Sequence, residues 1–69
     1  MKEQKILAEM KRRKLTIRKL ALMANVSTEK ITWARIGGRI SQPVAIRLAA
    51  ALDMKPETLF PAFGTFRNW

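Results

Sequence analysis

Between Lys11 and Arg39 the chain sets nine cationic side chains against a single carboxylate, Glu29. The nine are Lys11, Arg12, Arg13, Lys14, Arg18, Lys19, Lys30, Arg35 and Arg39. Cations gathered without interspersed acids are equipped to hold a polyanion, because ordinary soluble surfaces mix the two signs. The flanking segments are nearly neutral, zero over residues 1–10 and +1 over residues 40–69, so the formal charge of +9 belongs to one stretch. Catalysis has little to work with. The absence of His, Cys and Tyr removes the commonest general base, the thiol nucleophile, the usual metal ligands and a phenol acid. The five acids (Glu3, Glu9, Glu29, Asp53, Glu57) show no paired spacing, and no base stands ready to activate Ser27 or Ser41. The expectation is a binding protein, not an enzyme, with no metal, cofactor or small-molecule substrate.

Sixty-nine residues, 48% of them hydrophobic, can bury one modest core. Hydrophobic periodicity divides the chain into short helices that must position the cations. Ile6, Leu7, Met10 and Leu15 predict a helix over Lys2–Arg13, and Lys14-Leu15-Thr16 a break with Thr16 as the next N-cap. Ile17, Leu20, Ala21 and Ala24 space as one helical face, after which Asn25, tolerant of the left-handed conformation, opens a tight turn. Ser27 caps a third helix, Thr28 to about Ile36, with Ile31 and Ala34 inward and Gly37-Gly38 ending it. Ser41-Gln42-Pro43 opens a fourth, whose stripe Ala45, Leu48, Ala49 and Leu52 must be central to the core. Pro56 opens a fifth, ending near Phe60. No period-2 run of β-branched residues calls for a strand, so the fold class is all-α.

The unit over residues 17–36 combines a small residue (Ala21), a turn residue four positions on (Asn25) and two apolar anchors (Ile31, Ala34). Together with Leu15-Thr16-Ile17-Arg18-Lys19-Leu20-Ala21, Gly37-Gly38-Arg39 and Ala45–Leu52, it resembles the helix-turn-helix of the lambda-type repressor and Cro family. The likeness spans residues 6–60. It departs from the family in carrying Asn25 where Gly is usual, Ile17 where many members are polar, and Arg35 where many have an acid. The spacing between Gly38 and Pro43 is similar to that of plasmid antidote-type regulators, whereas Pro56–Pro61 resembles small phage Ner-like repressors.

The resemblance implies a five-helix, lambda-repressor-like bundle over residues 1–61 whose third helix enters the major groove of double-stranded DNA. Thr28 would offer its methyl to thymine, Glu29 accept from cytosine N4, and Lys30 donate to guanine. Trp33 either touches DNA sugars or a thymine methyl, or folds back over the Arg39-Ile40 loop. Arg12, Arg13, Lys14, Arg18, Lys19, Ser27, Arg35 and Arg39 are expected to hold phosphates, which position without specifying. The tail, residues 62–69, places an aromatic at every third position from Phe60, and four of the chain's five aromatics stand in the last ten residues. Leu59, Phe60, Phe63, Phe66 and Trp69 are therefore expected to form the interface of a weak homodimer, the competing expectation being a tail packed on its own core.

The functional expectation is a sequence-specific transcriptional regulator of phage Cro type, a repressor acting in the cytoplasm of a bacterial or phage-infected cell, at the nucleoid. The alternative is an antidote-like module whose basic surface binds an acidic protein. A membrane-active cationic peptide is disfavoured, since the Ala-rich fourth helix demands a folded core. Neither a signal peptide nor a membrane span is expected: Glu9 interrupts the first apolar run, and the longest such stretch is Leu48–Leu52.

Overall fold

A computed structural model describes residues 4–36 and 40–66. They form five α-helices and a short 3₁₀ turn, with no strand among the described residues. In chain order these are α1 (Lys5–Arg12), α2 (Ile17–Ala24), α3 (Thr28–Arg35), α4 (Gln42–Ala51), α5 (Pro56–Leu59) and the 3₁₀ turn Phe63–Thr65. α2 packs on both α3 and α4, α1 on α3, and α5 on α4. No helix among the described residues is long and apolar enough to cross a membrane.

Local chemistry sets the boundaries. The Thr16 hydroxyl accepts the Lys19 backbone N–H at 3.1 Å and starts α2 as an N-cap should. Asn25 adopts the left-handed conformation, φ 56° and ψ 47°, and the Ala21 carbonyl accepts from the N–H groups of both Asn25 and Val26. Two further helices end the same way, on residues whose left-handed geometry the sequence did not reveal. Lys14 (φ 55°) and Asp53 (φ 56°) each terminate a helix through paired backbone bonds, Leu15 N–H to Met10 O at 2.8 Å and Met54 N–H to Ala49 O at 2.9 Å. Ser27 and Ser41 occupy the N-cap positions expected of them, but neither hydroxyl makes the capping bond. α1 begins at Lys5 after Gln4, while residues 2 and 3 of the expected Lys2–Arg13 helix lie outside the described residues, as do Gly37-Gly38-Arg39.

The core draws on every helix. Ile6 and Met10 meet Leu20 and Ala24, Ile31 and Ala34, and the Ala45, Leu48, Ala49 and Leu52 stripe, all buried. Two members of the expected dimer interface, Leu59 and Phe60, are corrected here. Leu59 and Phe60 are buried in the chain's own core, while Phe63 and Phe66 pack half-buried against it. Phe66 stands edge-on to Phe60 (ring centroids 5.8 Å apart) and to Phe63 (6.1 Å). Phe63 and Phe66 thus border the core, while Ala62, Gly64 and Thr65 are exposed and Trp69 lies outside the described residues.

Candidate nucleic-acid interface

α3 is held by one face only. Ile31 is fully buried and Ala34 nearly so, three residues apart, which directs Thr28, Glu29, Thr32, Trp33 and Ile36 away from the core. Four residues expected to read bases, Thr28, Glu29, Lys30 and Trp33, are all exposed, and Trp33 keeps 53% of its surface in solvent. Thr32 differs from its neighbours in donating its hydroxyl to the Thr28 carbonyl at 3.1 Å, so that proton is already used.

The cations divide into two groups. Arg18 and Lys19 on α2 and Lys30 on α3 are exposed, and no carboxylate among the described residues lies within ion-pairing distance. Arg12 and Arg13 instead converge on Glu9, whose carboxylate takes Arg12 at 2.6 Å, Arg13 at 3.2 Å and Lys5 at 3.6 Å. The Arg12 guanidinium holds the Glu9 carboxyl below its ordinary range; burial opposes this, and Arg13 and Lys5 reinforce it. The sequence had shown Glu9 only as a break in an apolar run. Arg12 still presents 65% of its side chain to solvent, so it can reach outward with part of its charge already balanced. Lys14 is exposed at the left-handed end of α1. Arg35 is half-buried, and its enclosed Nε has no hydrogen-bond partner among the described residues. Arg39 lies outside the described residues.

α2 and the start of α3 border an open groove of about 450 Å³, lined by Arg18, Ala21, Leu22, Asn25, Val26, Ser27 and Thr28. Its lining is mainly apolar, with Arg18, Asn25, Ser27 and Thr28 as the polar contributors. Arg47 of α4 secures the turn below by donating from Nη1 to the Asn25 carbonyl at 3.2 Å, a bond across 22 positions. Leu22 (82% exposed), Ile36 (70%) and Arg47 were missed as contributors to this surface. For Leu22 a signal existed, since its helical phase is opposite Leu20 and Ala24.

Compared with known proteins, the chain matches no family model, no curated protein and no solved structure.

Proposed function

We propose that the chain is a sequence-specific double-stranded DNA-binding regulator, a repressor of phage Cro type, in which α2 and α3 act as a helix-turn-helix and α3 enters the major groove. The observation that carries this reading is the placement of α3: its inner stripe is buried, its outer face is exposed, and Arg18, Lys19 and Lys30 on α2 and α3 have no carboxylate within ion-pairing distance among the described residues. An α-helix fits the major groove, where base edges differ in donor, acceptor and methyl pattern. Arg18, Lys19 and Lys30 would hold the backbone on either side, with Glu29 and Lys30 reaching bases. The left-handed Asn25, fixed by Arg47, sets the angle between the two helices, and Ala21 lets them approach.

Selection of duplexes from a random-sequence pool tests this directly. The full chain should enrich one sequence and bind it with an affinity that falls as salt rises, roughly 0.9 in log units per phosphate neutralised. Glu29→Ala or Lys30→Ala should cost about 1–3 kcal/mol on the selected duplex and much less on random DNA. Equal losses on both, or no enrichment at all, would remove the reading.

A further inference from the structure

We infer that α3 recognises thymine C5-methyl groups through Trp33 and Ile36, an inference that rests on the reading that α3 enters the major groove. Glu29, Trp33 and Ile36 are spaced i, i+4, i+7 and form one stripe, opposite the buried Ile31 and Ala34. Two of its three members are large apolar side chains left in water, 53% and 70% exposed. Neither accepts a hydrogen bond, and the one polar group between them is the indole N–H of Trp33, a single donor. Among the four base pairs, the one apolar group presented in the major groove is the thymine methyl. The polar competitors along α3 are few. The Thr32 hydroxyl proton is spent on Thr28, Lys30 sits at the edge of the stripe, and Glu29 accepts rather than donates.

Charge argues for a polyanion as the occupant of this stripe, and the major-groove reading makes that polyanion duplex DNA. The apolar pair belongs to the segment that carries nine bases and one acid, of which Arg18, Lys19 and Lys30 lack ion-pair partners among the described residues. A site of this composition selects thymine opposite Trp33 and Ile36, with cytosine opposite Glu29.

The test uses the duplex recovered from the random pool, synthesised once with thymine and once with 2′-deoxyuridine, which keeps the pairing and removes the methyl. The native chain should bind the uracil duplex about fourfold more weakly for each contacted methyl, the equivalent of ~0.8 kcal/mol per group. Trp33→Ala and Ile36→Ala should weaken binding to the thymine duplex and bring the thymine-to-uracil ratio toward one, with helicity by circular dichroism unchanged. Equal affinity of the native chain for both duplexes overturns the inference. If Glu29→Ala and Lys30→Ala still weaken binding in that case, the major-groove reading survives it. A chain that enriches no sequence overturns both.

Discussion

Ile31 and Ile36 are the same residue type five positions apart on one short helix, and the structure assigns them opposite fates. Ile31 is fully buried, whereas Ile36 is 70% exposed. Truncating Ile31 to Ala removes three carbons from the core, about 2.4 kcal/mol at ~0.8 kcal/mol per group, and leaves a cavity that raises the cost to roughly 3–4 kcal/mol. A chain of 69 residues has a total stability on the order of 3–10 kcal/mol, so Ile31→Ala should leave the fold marginal. Ile31→Val, losing one carbon, should cost about 1 kcal/mol and lower the melting temperature by roughly 4–8 °C. Ile36→Ala should stay within about 0.5 kcal/mol of the parent. Urea unfolding followed by circular dichroism gives all three values on one scale. The comparison measures the rotation of α3 about its own axis, on which the identity of its outward residues depends. Similar costs at both positions, or a larger cost at Ile36, would mean that α3 presents a different face and would refute the assignment of Glu29 and Trp33 to the groove side.

Glu9→Gln should lower the melting temperature at neutral pH, because it removes the acceptor shared by Arg12, Arg13 and Lys5. The folded carboxyl titrates below its ordinary 4.5, so its stabilisation is present above that value and is lost as pH falls through the folded one. Melting curves of parent and variant should therefore converge in strong acid, and a constant gap at all pH values would contradict the ion-pair account. Phe66→Ala should destabilise the monomer by about 2 kcal/mol, since a half-buried ring and two edge-on aromatic contacts are lost. Chemical denaturation measures that loss, and sedimentation should find no change in association; a shift in association with stability intact would restore the tail as an interface.

Much of the helical skeleton was legible because its signals are local. Thr16 caps α2 through its own third neighbour, Asn25 takes the left-handed turn that its side chain tolerates, and the Ala45, Leu48, Ala49 and Leu52 stripe is buried where its period placed it. The left-handed geometry of Lys14 and Asp53 was not legible, although the break at Lys14 was: lysine does not favour that region, and an aspartate in it cannot be told from one elsewhere without the surrounding contacts. Glu9 was missed because an acid inside an apolar run looks like an interruption, and its three cationic partners become evident only when α1 is wound. Of the site, the exposed polar face of α3 followed from the burial of Ile31 and Ala34. Ile36 and Leu22 did not, because an apolar residue in a sequence is counted first as core. The aromatic tail was assigned outward for a related reason: spacing shows that the rings share a neighbourhood but not which surface they cover.

α1, α2 and α4 all stop on residues in left-handed geometry, Lys14, Asn25 and Asp53, and none of the three is glycine. Each joint holds back up to about 1 kcal/mol that glycine would release, less at Asn25 and Asp53, whose short side chains suit the region better. The chain thus keeps an untapped reserve that single substitutions can reach, remote from the packed interior and, at Asp53, remote from the cationic stretch as well. Changes on the outward side of α3 that favour a new target at some expense to folding can be compensated at these joints without repacking a single core side chain. In evolutionary terms such joints would let the fold offset the cost of changes on the outward side of α3 while remaining the same structure.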